Sequence, residues 1–185
     1  MKATLVWIVL PDDKRNIAPR FDHYPELPVV MKDGIEFTVL VGDFLDTTSP
    51  VKVHSELLGV DLTSKAATSS TLSLNPRFEY GFMVLEGEAS IHGHELNDDN
   101  FLFVEPGLTE LKLDLAANSR VLLLGGVPFE SPILLWWNFV GRTQEELAEA
   151  RQQWVEGHSR FGSIPAYEGP RLEAPVLPER MRASK

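Results

Sequence analysis

The chain of 185 residues contains no cysteine, which excludes disulfide bonds, thiolate zinc sites and cysteine nucleophiles. It also lacks a long hydrophobic run, since no apolar stretch approaches the roughly 20 residues that a membrane-spanning helix needs. Residues 3–10 are apolar, but they meet Pro11 without the small-residue cleavage site of a signal peptide. These absences favour a protein of the reducing cytoplasm that does not bind a membrane.

Basic charge is scarce and scattered. The 27 Asp and Glu residues outnumber the 17 Lys and Arg residues, and the formal net charge is −10. Because nucleic-acid binding needs clustered basic side chains, direct contact with DNA or RNA is not expected. The chain also lacks a serine in a nucleophile elbow and a glycine-rich phosphate loop ahead of a helix. Apolar residues at 43% and charged residues at 24% are typical of an ordinary folded domain.

Short patterns typical of β-strands fill most of the chain. Asp33-Gly34 between alternating β-forming residues predicts a hairpin, and several later segments alternate apolar with polar residues. The predicted strands span residues 5–10, 29–31, 35–41, 52–62, 67–74, 80–86, 89–91, 101–104, 110–115 and 120–124. Many short strands at this spacing indicate an antiparallel sandwich or a jelly-roll barrel.

One segment has a clear helical pattern, from Gln144 to Glu156. Thr143 and Glu146 have the spacing of a capping box, and Gly157 stands where a helix commonly ends. Residues 158–185 are rich in proline and arginine and show little periodicity. The sequence therefore predicts one C-terminal helix followed by a tail.

Four motifs carry a resemblance to a known family. The segments are 80–88 with its Glu-Gly-Glu turn, 104–107 with its Pro-Gly turn, 121–128 with Leu-Leu-Leu-Gly-Gly, and 133–152, in which Trp136-Trp137 precede the helix. Together they resemble the C-terminal half of the pirin family, within the cupin superfamily. The resemblance implies an all-β fold, a cupin-type jelly-roll β-barrel or sandwich with one C-terminal α-helix and an extended tail.

The resemblance also implies a domain layout. We expect one cupin domain over residues 1–165, with its barrel at about 27–140 and its helix at 144–156, and an extended or partly disordered tail over residues 166–185. Pirins have two cupins and carry their iron-binding histidines and glutamate in the first. This chain matches the second, so the metal-binding cupin is expected to be missing from it.

The cupin metal motifs can be placed on this sequence through the same resemblance. The two-histidine motif falls near residues 73–76, the glutamate position falls at or beside Tyr80, and the last histidine falls near Glu110. None of these positions holds a histidine. The resemblance thus predicts no catalytic residue, no metal ligand and no cofactor, and the His92-Gly93-His94 motif is interpreted as a hairpin turn.

Three side chains are candidates for an inward position in a barrel pocket, namely His54, Glu79 and Glu110. His54 lies on a predicted strand and could face the barrel or line its rim, while the two glutamates stand beside the expected metal positions. An exposed or ion-paired position is the competing interpretation for all three.

Three functional hypotheses follow. The first is a non-catalytic, metal-free cupin that forms a homodimer or pairs with a separate cupin protein, using Trp7, Trp136 and Trp137 as interface, because the Trp7 strand would otherwise leave an apolar edge exposed. The alternative is a metal-dependent quercetin 2,3-dioxygenase-like oxidoreductase with iron or another divalent metal. The third is a small-molecule-binding barrel whose walls would include Phe82, Phe101 and Phe103, although these residues are more typical of a core.

Overall fold

The structure is a computed structural model that describes residues 4–162 and 167–182. Residues 1–3, 163–166 and 183–185 lie outside the described residues, and so do the predicted domain boundary at 165 and the last part of the predicted tail. The chain forms two compact units. We call residues 23–128 the β unit, and the described residues up to Asp22 and from Phe129 onward the helical unit. The single domain over residues 1–165 stays a prediction.

Twelve strands form the β unit. They are β1 (Val29–Lys32), β2 (Ile35–Val41), β3 (Asp43–Phe44), β4 (Thr47–Thr48), β5 (Leu57–Ser64), β6 (Thr68–Ser73), β7 (Glu79–Glu86), β8 (Ala89–Ile91), β9 (His94–Leu96), β10 (Phe101–Val104), β11 (Glu110–Leu115) and β12 (Ser119–Gly126). One sheet has the order β1-β2-β5-β12-β7-β10, a second has the order β6-β11-β8-β9, and β3 pairs with β4. Every pairing is antiparallel.

Alternating side chains of both sheets form one apolar core. Leu111, Leu113 and Leu115 of β11 are buried, whereas the residues between them face outward. The same alternation places Tyr80 and Phe82 of β7 inside. Because residues of both sheets belong to this single cluster, the two sheets form a filled sandwich.

Two predicted turns are confirmed. The β1–β2 hairpin turns at Asp33-Gly34, whose φ angles of 51° and 77° are typical of the left-handed pair in a tight hairpin. A second hairpin joins β8 to β9 at His92-Gly93, with φ angles of 52° and 84°. Both residues of that turn are exposed, as the hairpin interpretation of the His-Gly-His motif requires.

The helical unit contains β13 (Leu134–Trp136), β14 (Phe139–Gly141), α1 (Gln144–Val155) and a 3-10 turn over Ser159–Phe161. Helix α1 begins as predicted, because the Thr143 side chain accepts a hydrogen bond from the Glu146 N–H at 3.2 Å. Among the described residues, no helix has the length and apolar character needed to cross a membrane.

The tryptophan run, which precedes the predicted helix, forms a β-hairpin. Strand β13 ends at Trp136, and Trp137 turns the chain with a φ of 49° before β14 pairs back. The Trp137 ring meets the edges of Phe139 and Trp154 at centroid distances of 5.3 and 5.5 Å. Both neighbouring indoles therefore pack on the same aromatic cluster, because a turn removes the alternation of an extended chain.

The described part of the tail packs against α1. The Trp154 indole N–H donates to the Leu172 carbonyl at 2.7 Å, Arg151 donates to the Pro175 carbonyl at 2.6 Å, and Ala174 is buried. Residues 167–182 contain no helix or strand, so side chains of the helix anchor an extended segment.

Two predicted strands differ from the structure by more than two residues at one end or are absent. Residues 5–10 are in no strand, since β-forming side chains produce a strand only where a partner supplies hydrogen bonds. The strand predicted over 52–62 begins at Leu57, because residues 54–56 bend at the open end of the β unit.

Gly42 provides a test of the packing around β5. Its φ is 81°, and a Cβ there would lie 2.1 Å from the Leu57 carbonyl oxygen. Gly93 is a matched control, because its φ is 84° and a Cβ would meet no described atom within 4 Å. We expect Gly93→Ala to lower the free energy of unfolding by about 1–2 kcal/mol through backbone strain, and Gly42→Ala by about 1–3 kcal/mol more. Urea unfolding followed by circular dichroism measures both changes. An equal loss of unfolding free energy in the two variants would contradict the close approach of Gly42 to the Leu57 carbonyl.

Glu146 provides a test of the helix start. Hydrogen bonds to its carboxylate lower its pKa, first from the Arg142 backbone N–H at 2.7 Å and then from the Arg15 guanidinium at 2.8 Å. A depressed pKa adds stability that is present above the ordinary value of 4.5 and is lost as the pH falls through the folded value. We expect Glu146→Gln to destabilise the protein at pH 7 by on the order of 0.5–1 kcal/mol, with the difference closing as the pH falls through the lowered pKa of Glu146.

Tryptophan fluorescence follows this change, because all four tryptophans belong to the helical unit. Glu145→Gln is the control, since Glu145 is exposed in the same helical turn. A Glu146→Gln effect that did not change with pH would show that charge is not its origin.

Candidate functional site

The β unit has a cavity of about 350 Å³ at one end of its sandwich. Strand β3, the bend before β5, the end of β6 and the start of β7 surround it. Its walls include the aromatic side chains of Phe44, Phe78 and Tyr80. Polar atoms are supplied by residues such as Ser55 and Asn75. The cavity is thus a mixed apolar and polar pocket above the filled core.

Tyr80 connects this cavity to the core. Its ring is 2% exposed, and its hydroxyl donates to the Asn75 carbonyl at 3.2 Å and accepts from the Asn75 N–H at 2.8 Å. Burial raises the pKa of Tyr80, and the backbone hydrogen bond with Asn75 opposes that rise in part. The phenol therefore stays neutral at physiological pH and acts as a hydrogen-bonding group.

An ion pair stands at the edge of the cavity. Arg77 contacts the Glu56 carboxylate with both terminal nitrogens, and one of these bonds measures 3.2 Å. The Arg77 backbone N–H donates to the Asn75 side-chain oxygen at 3.0 Å. Two carboxylates line the cavity, those of Asp43 and Glu56. Arg77 partly neutralises the charge of Glu56.

The structure does not bring the three predicted pocket residues together. His54 is exposed in the bend before β5. Glu79 begins β7 and points away from the neighbouring Tyr80, because successive strand residues face opposite sides. Glu110 is exposed at the start of β11, where Leu111 takes the inward position. None of the three lines the cavity described above.

These residues do not fit a metal ion. Across residues 4–162 and 167–182, no group of three or more His, Cys, Asp or Glu side chains is placed to hold a metal. At the cupin metal positions, residues 73–76 contribute Ser73 and Asn75 to the cavity, and the Tyr80 phenol is occupied by Asn75. Neutral hydroxyl and amide groups are weak ligands for a divalent cation compared with the imidazole and carboxylate groups that it requires.

The predicted interface residues have different positions. Trp7 is 47% exposed in a segment without helix or strand. Trp136 and Trp137 are half-buried against the aromatic cluster of the helical unit. Their role as an interface stays a prediction.

The suggested phenylalanine wall is wrong. Phe82 is fully buried in the core, while Phe101 and Phe103 of β10 are 52% and 53% exposed on the opposite face of their sheet. The cavity uses Phe44 and Phe78 instead, which sequence reasoning missed. A usable signal was the Asn75-Pro76 turn next to the expected metal positions, since it brings Phe78 to the open end.

Comparison with known proteins identifies the fold and the family. The model of the pirin C-terminal cupin domain matches residues 59–162. A crystal structure of quercetin 2,3-dioxygenase from Acinetobacter baumannii superposes with a TM-score of 0.91 at 61% identity, covering 97% of this chain and 60% of that one. The predicted all-β cupin fold is therefore confirmed.

Two curated relatives support the same family assignment. A Pseudomonas aeruginosa protein, provisionally named quercetin 2,3-dioxygenase, is 43% identical over 98% of this chain and 58% of its own length. A pirin-like protein of Caulobacter vibrioides is 27% identical over 89% of this chain and 57% of its own length. The chain thus spans somewhat more than half the length of the relatives it matches.

These comparisons correct the cofactor prediction and identify the family. Quercetin 2,3-dioxygenases are metal-dependent, so the prediction that no cofactor is involved is wrong, although the described residues form no metal site. The dioxygenase alternative is better supported than the non-catalytic hypothesis. With a family model over residues 59–162 and relatives over nearly its whole length, the chain belongs to the pirin family.

Proposed function

We propose that this chain takes part in a metal-dependent oxidation of a flavonol by dioxygen, as a quercetin 2,3-dioxygenase-like pirin. The observation that carries the proposal is the 61% identity and TM-score of 0.91 with the Acinetobacter baumannii quercetin 2,3-dioxygenase. Similarity at this level extends over the β unit and the helical unit, because it covers 97% of the chain.

The metal of this activity does not fit the cavity of the β unit. Its lining residues offer hydroxyl, amide and carboxylate groups without an imidazole, and Tyr80 is already hydrogen-bonded. A second copy of the chain would bring the same exposed His54 and Glu110. We therefore assign the metal ligands to another cupin that associates with this one.

An exposed apolar segment supports such an association. Leu5, Trp7 and Ile8 are 82%, 47% and 51% exposed, and exposed apolar side chains of this size next to each other favour a partner surface. A dimeric assembly and a cytoplasmic location are part of the proposal. The absence of cysteine is compatible with that location.

Dioxygen uptake tests the proposed activity. The purified chain is incubated with quercetin and Fe²⁺, Ni²⁺, Cu²⁺ or Mn²⁺, alone and together with any cupin that copurifies with it, and metal content is measured on the same samples. We expect quercetin-dependent uptake that requires bound metal and appears when the second cupin is present. Metal-loaded mixtures that consume no dioxygen with quercetin would contradict the proposal.

Three variants test the assignment of the metal ligands. His54→Ala, Glu79→Gln and Glu110→Gln should leave both metal content and dioxygen uptake within about twofold of the unchanged chain, because none lines the cavity and two are exposed. A stoichiometric loss of metal in any of them would place the ligands in this chain.

A further inference from the structure

We propose that the cavity of the β unit binds a small uncharged aromatic compound carrying hydroxyl groups, a phenol of one or two fused rings. This site goes beyond the proposed function, because it uses neither a metal nor dioxygen and lies in the barrel that provides no metal ligands. Its residues are those between the filled core and the open end of the sandwich.

The size of the cavity fits such a compound. Its volume of about 350 Å³ lies within the range of small-molecule pockets in proteins. Phe44 is 6% exposed and packs on Phe37 at a centroid distance of 5.7 Å, and Phe78 lies 6.0 Å from Tyr80. These contacts hold three aromatic walls in place, and flat rings bind well against such walls.

The charges of the lining select against an anion. The residues that line the cavity include the carboxylates of Asp43 and Glu56 and no Lys, Arg or His. An anionic ligand would thus meet like charge, and the Arg77 guanidinium at the edge of the cavity is already bound to Glu56. The surrounding acceptors instead favour a ligand that donates hydrogen bonds, as a hydroxyl group does.

The same lining gives little support to a cationic ligand. Glu56 already binds the Arg77 guanidinium, which would repel a second cation at that side. The Asp43 carboxylate already accepts a hydrogen bond from the Thr48 hydroxyl, and the other polar groups, from Ser55, Ser73 and Asn75, are neutral. A hydroxyl can donate to the carboxylates and exchange hydrogen bonds with these neutral groups, so it matches the site better than an ammonium group.

The walls are held in place without a ligand. Tyr80 exchanges two hydrogen bonds with the Asn75 backbone, and the Phe78 N–H donates to the Asn75 carbonyl at 3.0 Å. The Ser49 N–H donates to the carbonyl of the lining residue Gly42 at 2.9 Å, which fixes the chain after β4 against this part of the wall. A site organised in advance loses less conformational entropy on binding.

Three probes with one ring system test the chemical class. They are 2-naphthol, 2-naphthoate and 2-naphthylmethylammonium, which are neutral, anionic and cationic at pH 7. Each is titrated into the isotope-labelled full chain without metal, and amide shifts are followed by NMR. We expect saturable shifts with 2-naphthol in residues 43–45, 55–58 and 75–80, and at least tenfold weaker binding of the two charged probes. No saturable shift in these residues, or tighter binding of a charged probe, would overturn the proposal.

A matched pair of variants tests the location. Ser55→Phe places a ring in the cavity and should weaken 2-naphthol binding at least tenfold. Ser69→Phe makes the same change at an exposed position of β6 that does not line the cavity, and should leave binding unchanged. If Ser55→Phe shows an altered amide spectrum without ligand, Phe78→Leu replaces it. Unchanged affinity in the folded cavity variant would overturn the site, whatever the outcome of the dioxygen assay.

Discussion

Two hydrogen bonds with the Asn75 backbone fix the buried Tyr80 phenol between two regions of the β unit, the core and the cavity. Below the phenol, the inward side chains of two antiparallel sheets fill the sandwich with hydrocarbon. Above it, the chain bends around a cavity lined by aromatic and polar groups. Burial and these bonds hold the phenol in one position, so the cavity borders a neutral hydroxyl on the side of the core. A metal-binding cupin would need a cluster of metal ligands there.

The strand pattern was largely predictable because strand alternation is a local signal. Residues 35–41, 89–91, 101–104 and 110–115 have the same bounds in the prediction and in the structure. The strand predicted over residues 5–10 is wrong for a physical reason. Their side chains favour a strand, but the described chain offers no strand to pair with them. The Trp136-Trp137 hairpin also escaped prediction, because a left-handed tryptophan is rare and depends on the aromatic contacts that stabilise it.

The candidate site was only partly predictable. Motif spacing pointed to residues 73–80, several of which line the cavity, but the direction of each side chain depends on the exact start of a strand. With β7 beginning at Glu79, it is Tyr80 and not the glutamate that faces inward. Phe44, from the short β3, reaches the cavity through a tertiary contact that has no local signature in the sequence.

Family membership and local chemistry carry different information for this chain. Relatives named as quercetin 2,3-dioxygenases support the proposed oxidation, while the residues that line the cavity support the proposed neutral ligand. The two proposals are compatible if the cupin of this chain supports a reaction whose metal is held elsewhere. The helical unit, with its exposed apolar N-terminal segment, offers surface for such an association.

The central claim is that the cavity of this chain does not hold the metal. A titration of the isotope-labelled chain with paramagnetic Mn²⁺ or Ni²⁺ tests it most directly, because bound metal broadens the NMR signals of nearby amides. The account predicts that amides of Asn75, Phe78 and Tyr80 keep their line widths at one equivalent of metal, as do matched core amides of β11. Selective broadening of the signals around Tyr80 at one equivalent would show that this cavity is itself a metal site and would contradict the account.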